Sequence, residues 1–391
     1  MHEPARTAPP GAARPCVLVL SFTDLGRDPR VHRQIRFLAE RYAVVAAGTG
    51  DPRVPGVEYV ALAPRPKALG GRLVGALRLA LRRYEAYYWA TRAVSDCLAR
   101  LAGRSFDLVV ANDIETLPVA LRLAGDAPVL FDAHEYAPLE FEDQLLFRAL
   151  HRPYRFHLCR AYMPRAHACS TVCDRIAEEY ARLAGARPTV VWNAPDFEPL
   201  EPSPVDPDRI RLVHHGGTQR SRRLEGMIRM MRHLDERFSL DLVLAGRDTH
   251  YVDSLRREAG ADPRIRFLDP VPMRMLPAFL NRYDVGVFLL PPVNFNYRHA
   301  LPNKLFEFVQ ARIGVAIGPS PEMARLVERH ALGVVARDFA PTSLAACLGA
   351  LSADRVRQLK ANAARAAREL SADRARRQIR DLAASALGGM A

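Results

Sequence analysis

Short runs of apolar residues recur along the first half of the chain, and longer segments with helical spacing of apolar and polar positions separate them. The run CVLVLS at 16–21 is typical of a strand that is buried on both faces of a parallel sheet. Similar runs lie at 42–48, 57–63, 107–113, 128–135, 167–173 and 188–193. This alternation predicts an α/β, doubly wound domain over residues 16–196.

A proline-rich stretch interrupts the alternation, with five prolines between Ala194 and Asp208. We assign residues 197–209 to a linker, because proline breaks both helical and strand periodicity. The alternation restarts with apolar runs at 211–217, 240–246, 265–271, 285–291, 314–318 and 332–336. This second series predicts another Rossmann-like, doubly wound domain over residues 210–353.

The two ends of the chain differ from both predicted domains. Residues 1–15 lack the apolar stretch of a signal peptide and have the composition of a disordered tail. Residues 354–391 are rich in alanine and arginine with helical spacing, so we expect terminal helices that could pack back onto the first domain. Open parallel sheets bind ligands beyond the carboxyl ends of their strands, so we expect the function in a cleft between the two domains.

The charge and the cysteines narrow the possible partners. A formal net charge of +13 favours nucleic acid, an anionic membrane surface or a phosphorylated substrate. Nucleic acid is disfavoured because no basic stretch interleaved with aromatic residues and no zinc-finger spacing is present. Cys169 and Cys173 could suggest zinc, but their sequence context is typical of buried thiols. No window reaches the roughly 20 apolar residues of a membrane span, so we predict a cytoplasmic protein that could touch the inner membrane face.

The segment NFNYRHALPNKLFEFVQARIGVAIG at 294–318 is the most informative in the chain. Pro302 suits the first position of a helix, whose free N–H groups and dipole favour an anion. A diphosphate fits this helix start, with Lys304 adding a charge and Glu307 placed to accept hydrogen bonds from ribose hydroxyls. The alternative is a capped surface helix that carries an ordinary lysine and glutamate.

A second basic element, HHGGTQRSRR at 214–223, follows the first strand of the second predicted domain. Gly216 and Gly217 allow a ligand to approach the backbone closely, and three arginines follow them. In a doubly wound sheet this loop and the helix at 302–307 can face the same ligand, so we predict that Arg222 and Lys304 hold a diphosphate. The alternative is a solvated basic helix face.

Through the GG-plus-arginine loop and PNKLFEF, the second half resembles the donor domain of glycosyltransferase family 4 (GT4). The resemblance implies the GT-B fold, in which two Rossmann-like domains face a central cleft, and a retaining reaction. That family carries an E-x7-E motif at this place, so Glu307 would be the glutamate that contacts the donor ribose, and His299 stands at the position of the first glutamate. The resemblance also implies donor contacts from Asn303, Leu305 and the backbone of Val271.

The first half resembles the acceptor domain of the same family in DPRVHRQIRFLAE, VVANDIETLPVAL and VLFDAHEYAPLE. The resemblance implies that His134 lies near the transferred sugar and that Asp113 lies at a strand end where an acceptor hydroxyl could be held. Together with Glu135, these two residues are the candidate catalytic residues. The alternatives are a core histidine for His134 and a helix cap for Asp113.

These features and the resemblance together predict an enzyme that moves a hexosyl group from a UDP- or GDP-sugar to an acceptor hydroxyl, and the resemblance alone implies retention of configuration. The context would be cell-envelope polysaccharide, glycolipid or natural-product glycosylation, and the nucleotide-sugar is a co-substrate, with no further cofactor. The one Asp-x-Asp motif lies in the predicted linker, so we predict that protein cations replace a metal ion. A nucleotide-sugar 2-epimerase of the same architecture and a non-catalytic nucleotide-sugar-binding protein are the alternatives.

Residues 64–104 contain nine Lys or Arg and two acidic residues, with Leu, Tyr and Trp interleaved. This basic amphipathic pattern is suited to an anionic membrane interface, which is compatible with a lipid-linked acceptor. The alternative is an internal helix of the first domain with a solvated basic edge.

Overall fold

The structure, a computed structural model, describes residues 14–63, 70–185, 187–246 and 248–388, with the side chains of 70–72 excepted. The disordered tail predicted for residues 1–15 therefore lies outside the described residues, apart from its last two positions. The described residues form two parallel sheets with helices on both faces. The predicted α/β class with two doubly wound sheets is confirmed.

The first sheet has seven strands in the described part of the chain, in the order β3-β2-β1-β4-β5-β6-β7, and every pairing is parallel. Its strands are β1 (Cys16–Leu20), β2 (Ala43–Gly48), β3 (Glu58–Ala61), β4 (Leu108–Asn112), β5 (Val129–Ala133), β6 (Ala168–Thr171) and β7 (Thr189–Val190). The helices of this half are α1 (Pro29–Ala39), α2 (Gly70–Ala80), α3 (Tyr84–Trp89), α4 (Arg92–Arg100), α5 (Leu117–Ala124), α6 (Arg152–Tyr162) and α7 (Asp174–Ala184).

The second sheet has the order β10-β9-β8-β11-β12-β13 and is also parallel throughout. Its strands are β8 (Ile210–Gly217), β9 (Phe238–Ala245), β10 (Ile265–Leu268), β11 (Val285–Phe288), β12 (Gly314–Ile317) and β13 (Gly333–Val335). The helices that follow β8 are α8 (Glu225–Met231), α9 (Thr249–Ala259), α10 (Leu276–Leu280), α11 (Phe295–Arg298), α12 (Asn303–Gln310), α13 (Pro321–Arg329), α14 (Pro341–Gly349), α15 (Ala353–Ala366) and α16 (Ala372–Gly388).

Both sheets are covered on their two faces, which explains the uninterrupted apolar runs of the central strands. Residues 17–20 of β1 are fully buried, and so are Leu212 and Val213 of β8. In each sheet the strand order reverses direction next to the first strand, between β1 and β4 and between β8 and β11. A crevice forms at such a reversal, at the carboxyl ends of the strands.

The chain returns from the second half to the first between its last two helices. Helix α15 packs on α12 and β12, whereas α16 packs on α1, β4 and β5. The chain is fixed at the crossing by a hydrogen bond from the N–H of Ala372 to the carbonyl of Pro195, at 2.7 Å. Further along α16, Gln378 donates a hydrogen bond to the carbonyl of Val190 at 2.9 Å. The C-terminal helices therefore connect both halves of the molecule.

Helix α12 lies unusually close to strand β11. A Cβ atom added at Gly286 would lie 2.4 Å from ring atoms of Phe308, which is fully buried on α12. The absence of a side chain at Gly286 thus lets the helix settle onto the sheet. Lys304 lies at the start of α12. The contact between Gly286 and Phe308 therefore also determines how deeply the Lys304 side chain is buried.

We expect Gly286→Ala to lower the free energy of unfolding by about 1–3 kcal/mol, because the added methyl group overpacks the contact with Phe308. Denaturant unfolding followed by circular dichroism measures the change. Gly226→Ala is the matched control, since a Cβ there would meet Leu289 at an ordinary 3.5 Å. In helix α8 this control should be neutral or gain about 0.5–1 kcal/mol, and equal losses in the two variants would contradict the packing argument.

Candidate functional site

A cavity of about 230 Å³ lies between the two sheets. The first half contributes Asp28, Arg30, His134, Glu135, Val172, Ile176 and Asn193 to its walls. The second half contributes Arg222, Phe288, Leu290, Asn296, Tyr297, Ala300, Leu301, Pro302 and Asn303. Strand β5 ends one residue before His134, and β11 ends at Phe288. The cavity is therefore built from the carboxyl ends of strands in both sheets, where parallel sheets bind ligands.

His134 and Asp113 lie side by side because β4 and β5 are neighbouring parallel strands that end at the same edge. The backbone at Asp113 is left-handed, with φ of 65°, a conformation that aspartate tolerates better than most residues. This conformation lets the Asp113 carboxylate accept a hydrogen bond from the backbone N–H of His134 at 3.3 Å. The same carboxylate lies 3.4 Å from the His134 ring nitrogen Nδ1.

The orientation of Asn112 determines what the other ring nitrogen of His134 does. The Asn112 side-chain amide donates to Gln34 at 2.9 Å and to the carbonyl of Leu20 at 3.3 Å. Its oxygen is left as an acceptor for His134 Nε2, at 3.1 Å. Both ring nitrogens of His134 therefore lie beside acceptor oxygens, an arrangement that favours the imidazolium form.

The carboxylates around His134 favour the same charged form. Burial alone would lower the pKa of His134, but the nearby Asp113 and Asp132 carboxylates raise it to about 9. Asp28 adds a third carboxylate, 3.9 Å from Nδ1. At neutral pH the first half thus places the positively charged His134 side chain at the cavity. The carboxylates of Asp113, Asp132 and Asp28 surround this charge.

Arg30 reaches the cavity from the start of α1 and is held by Asp132. Two hydrogen bonds, at 2.7 and 2.6 Å, join the guanidinium to the two carboxylate oxygens, and a third joins Arg30 to the carbonyl of Val191 at 2.7 Å. Although burial opposes ionisation of Asp132, Arg30 and His134 hold the pKa of this carboxyl far below its usual range. This bidentate pair fixes the guanidinium that lines the cavity.

Glu135 is the acidic group with the most accessible side chain in the cavity wall. Protein atoms of the cleft surround the carboxyl and partly desolvate it, although the side chain itself is exposed at the cavity, and the neighbouring Glu140 and Asp113 add like charge. Together these effects raise the pKa of Glu135 to about 8. A carboxyl that holds its proton near neutral pH can act as an acid and then as a base.

Lys304 lies on the other side of the cavity and is 6% exposed. Its Nζ atom lies 3.3 Å from His214 Nε2 and 4.1 Å from the centre of the Phe288 ring. His214 Nδ1 lies 2.9 Å from the carbonyl of Val287, to which it can only donate, so Nε2 accepts from Lys304. A Cβ atom at Gly216, where φ is 122°, would lie 3.2 Å from Nζ, so this position needs glycine.

The protein groups around Lys304 compensate its positive charge poorly. Burial and the positive charge of Arg222 hold the pKa of Lys304 well below its usual range, and Glu307 only partly offsets them. Burial and Lys304 likewise hold the pKa of His214 well below 6.5, so this imidazole is neutral. Arg222 lines the cavity, and the 3.5 Å contact of its Nη1 with the carbonyl of Gly217 connects it to the end of β8. An anion placed here would relieve the repulsion between two cations.

Glu307 connects the two halves electrostatically. Burial raises its pKa, whereas the positive charges of Arg33 and Lys304 lower it. Arg33 belongs to α1 in the first half and donates to the side chain of Asn193, which lines the cavity. On the second half, the Glu307 carboxylate lies 3.4 Å from His215 Nε2.

The structure brings most of the candidate residues together but leaves some outside. His134, Glu135, Arg222 and Asn303 line the cavity, and Asp113, Gly216, Gly217 and Lys304 contact residues of its walls. Glu307 does not line the cavity and interacts with His215, Arg33 and Lys304. Three further candidates also do not line the cavity. His299 packs on Phe295, with ring centres 4.7 Å apart, and Leu305 is buried in the core. Val271 follows β10, which is the edge strand two positions away from β8.

The predicted start of the helix at Pro302 is wrong by one residue. Helix α12 begins at Asn303, and Pro302 is its N-cap with ψ of 156°. Proline fixes φ only, so Pro302 can be extended at ψ and still direct the next residue into the helix. No side chain caps this helix start, so its first N–H groups point free at the cavity edge.

Sequence reasoning missed Arg33, His214 and Asn296. Asn296 accepts from the N–H of Tyr136 at 2.8 Å and donates to its carbonyl at 3.2 Å, which joins the halves at the cavity. In the sequence, His214 is only one residue of the apolar run that predicts a strand at 211–217. The segment NFNYRH, polar residues directly before the PNK helix, was the one signal for Asn296.

A metal site and a membrane-spanning helix, both of which the sequence disfavours, are not found in the part of the chain that the structure describes. Among those residues, no three or more His, Cys, Asp or Glu side chains are grouped as metal ligands. Cys169 and Cys173 are buried, and burial raises the pKa of each thiol to about 12. No helix within the described ranges combines the length and the apolar character needed to cross a membrane.

No family model and no curated protein matches the sequence, but solved structures match along nearly the whole chain. Sucrose-phosphate synthase from Thermosynechococcus elongatus has a TM-score of 0.76 at 15% identity, covering 96% of this chain and 100% of that chain. Anabaena HepE in complex with UDP and glucose has a TM-score of 0.66 at 15% identity, covering 95% and 100%. An α,α-trehalose-phosphate synthase (UDP-forming) from Burkholderia vietnamiensis has a TM-score of 0.65 at 16% identity, covering 96% and 99%. This likeness establishes the GT-B fold for the chain.

The charge on His134 predicts a specific pH dependence of stability. The pKa of His134 is raised from 6.5 to about 9 in the folded state. Its contribution to stability is therefore fully present below about pH 6.5 and is lost as the pH rises through about 9. Relative to His134→Gln, the free energy of unfolding of the wild type should fall by about 2–3 kcal/mol across this window. Denaturant titrations of both proteins at several pH values measure this difference, and a difference that does not vary with pH would contradict the assignment.

Proposed function

We propose that the chain is a glycosyltransferase that moves a hexosyl group from a UDP- or GDP-sugar to an acceptor hydroxyl with retention of configuration. The observation that carries the proposal is the charge arrangement of the cavity. Arg222, Lys304 and the start of α12 form a cationic end, and His134 with its carboxylates forms a polar end across from it. The fold supports the proposal, because HepE, which shares it, was solved with UDP and glucose.

The cationic end suits the diphosphate of the donor. The uncapped N–H groups at the start of α12 and the helix dipole favour an anion. Arg222 can bind two phosphate oxygens in a bidentate manner, and Lys304 adds a point charge. Gly216 and Gly217 leave room for a phosphate to approach the end of β8. These groups would also stabilise the negative charge that grows on the departing diphosphate.

The polar end suits the transferred sugar and the acceptor. The His134 imidazolium would donate a hydrogen bond to a sugar hydroxyl, while Asp113 holds its orientation and lies where an acceptor hydroxyl could be held. Glu135 faces the cavity and would take part in proton transfer near neutral pH. We propose that an oxygen of the donor phosphate assists removal of the acceptor proton, so the new bond forms on the face that the diphosphate leaves.

The remaining donor contacts follow from the second half of the molecule. Glu307 would accept hydrogen bonds from the ribose, held by the positive charges of Arg33 and Lys304. The backbones of Asn303 and Leu305 belong to the first turn of α12. The N–H of Leu305 donates to the carbonyl of Pro302 at 3.2 Å, so the N–H groups that we assign to the donor are those of Asn303 and Lys304. The side chain of His299 packs on Phe295 and does not line the cavity, so its contact with the hexose has less support than the others. A contact of the Val271 backbone with the donor base does not depend on its side chain and stays part of the proposal. Residues 16–196 would then bind the acceptor and residues 210–353 the donor.

Epimerisation of a nucleotide-sugar is the second candidate, and one observation favours it. Glu135, with its pKa of about 8, faces the cavity beside His134, and an epimerase needs such an acid-base group near the hexose. Incubation with a UDP-sugar in the absence of an acceptor distinguishes the two reactions. Inversion of a sugar carbon would support the epimerase, whereas stable donor that is consumed only with an acceptor supports the transferase.

Nucleotide binding should raise the melting temperature, because a ligand that binds only the folded state stabilises it. We expect one of UDP, GDP, dTDP or ADP, or its sugar conjugate, to give a shift in a thermal denaturation screen. Arg222→Ala should weaken that nucleotide about 10- to 100-fold, as expected for a lost charge-assisted contact. Arg220→Ala is the matched control, because Arg220 is exposed and paired with Asp248 at 2.9 Å. Equal weakening in the two variants, or no shift with any nucleotide, would count against the donor site.

The protein cations of the site predict that transfer continues in excess chelator. With the acceptor and donor identified, activity should persist in EDTA, and proton NMR of the product should show the anomeric configuration of the donor. A strict requirement for Mg²⁺ or Mn²⁺ would contradict the role given to Arg222 and Lys304. An inverted product would contradict the proposed retention.

A further inference from the structure

Helix α2 turns its apolar side toward solvent, which is the reverse of an ordinary amphipathic helix. Leu73 is 80% exposed, Val74 51%, Leu77 58% and Leu81, just after the helix, 58%. At 3.6 residues per turn these four positions fall within an arc of about 100°. The opposite side packs inward, since Leu79 is 3% exposed and a Cβ at Gly75 would lie 3.1 Å from the Tyr87 ring.

A second segment extends this exposed apolar region. Phe141 is 42% exposed, Leu145 74% and Leu146 67%. The helical turn that follows, Phe147–His151, packs against α2. In the described part of the first half, no other large apolar side chain is comparably exposed. We call these seven residues, Leu73, Val74, Leu77, Leu81, Phe141, Leu145 and Leu146, the apolar platform.

The border of the apolar platform is basic along α2 and after Leu146, whereas Glu142 and the exposed Asp143 follow Phe141. Residues 70–83 contain four arginines and no acidic residue. Arg82 and Arg83 are exposed next to Leu81, and Arg148 is exposed two residues after Leu146. Aliphatic residues bordered by arginines match the interface of an anionic bilayer, in which the leucines enter the acyl boundary and the arginines contact lipid phosphates.

A bilayer fits the apolar platform better than a second copy of this chain. A symmetric dimer through the platform would bring the arginines of one copy against those of the other, with a net charge of +13 on each. Leucine is also under-represented among the residues that dominate protein–protein binding, where tryptophan, tyrosine and arginine prevail. A membrane needs only apolar depth and positive charge, and the platform supplies both.

The apolar platform is connected to the cavity. Glu142, one residue after Phe141, accepts from the N–H of Phe295 at 2.6 Å. Asp143 accepts from the side-chain amide of Asn294 at 3.3 Å. Phe295 is the first residue of α11, a helix that carries cavity-lining residues. The segment that carries Phe141, Leu145 and Leu146 is therefore hydrogen-bonded to the start of a helix that lines the cavity.

We propose that the apolar platform docks the protein on an anionic lipid bilayer, with α2 lying in the plane of the interface. Docking in this orientation brings the opening of the cavity to the membrane surface. The route of the acceptor rests on the proposed function. The acceptor would be bound to the membrane and would enter the cavity from the side of the apolar platform.

Vesicle flotation of the full chain tests the docking. We expect binding to phosphatidylcholine vesicles that contain about 30% phosphatidylglycerol, little binding to pure phosphatidylcholine, and weaker binding as salt rises from about 50 to 500 mM. Leu73→Gln combined with Leu77→Gln should reduce partitioning about tenfold or more, because two leucines no longer enter the bilayer. Arg82→Gln combined with Arg83→Gln should reduce it by about tenfold on anionic vesicles only.

Met273→Gln combined with Met275→Gln is the matched control, because these methionines are 53% and 55% exposed but lie on the second half. This control should float like the wild type. Circular dichroism and the nucleotide-induced thermal shift should be unchanged in the leucine variant, which separates loss of docking from unfolding and from failure of the proposed function. Wild-type flotation by the leucine variant, or equal binding to neutral vesicles, would overturn the inference. A lipid-free dimer that the leucine variant dissociates would instead assign the platform to a second copy.

Discussion

The burial of the Lys304 amine beside the guanidinium of Arg222, with only Glu307 to offset part of the cost, is the constraint on which the arrangement of the site depends. The lysine amine is buried, and its pKa is held well below the usual range by burial and by Arg222. Such a group is costly to bury unless the surrounding structure gives it partners. The partners here are neutral: the His214 ring nitrogen and the face of the Phe288 ring. They hold the amine in position without cancelling its charge.

The backbone of the second half is arranged around this lysine. Gly216 at the end of β8 leaves room for the amine, and Gly286 in β11 lets α12 sit low on the sheet. The extended ψ of Pro302 starts the helix so that Lys304 is its second residue. These features fix the depth at which α12 packs on the second sheet. At this depth the Lys304 side chain is buried beside the cavity.

The first half has the complementary electrostatic arrangement. Its cation, His134, is surrounded by carboxylates that raise its pKa to about 9, so the protein itself stabilises this charge. A donor that carries a diphosphate at one end and hydroxyl groups at the other would satisfy both halves at once. His134 has carboxylates around it, whereas Lys304 and Arg222 have little negative charge near them. This difference makes the two ends of the cavity chemically distinct.

The sequence predicts the two sheets well because buried parallel strands leave uninterrupted apolar runs such as CVLVLS. It also predicts Arg222 and Lys304, since a glycine pair and a proline-led helix constrain the local backbone strongly. His214 could not be predicted, because a polar residue in a buried strand has the same pattern whether it fills space or holds a lysine. The contact between Arg33 and Glu307 depends on how the halves face each other, and local pattern carries no information on that. For α2, the sequence leaves open a helix at a membrane interface and an internal helix, and the exposure of Leu73 and Leu77 supports our proposal of the first.

The most direct test of the central claim is isothermal titration of the stabilising nucleoside diphosphate in two buffers with different ionisation enthalpies, at mildly alkaline pH. A diphosphate beside Lys304 raises the depressed pKa of the amine, so binding should be accompanied by net proton uptake, and its affinity should fall as pH rises. Lys304→Met should bind more weakly and lose this uptake. Binding without proton uptake, or the same uptake in Lys304→Met, would contradict the claim that the diphosphate lies against this lysine.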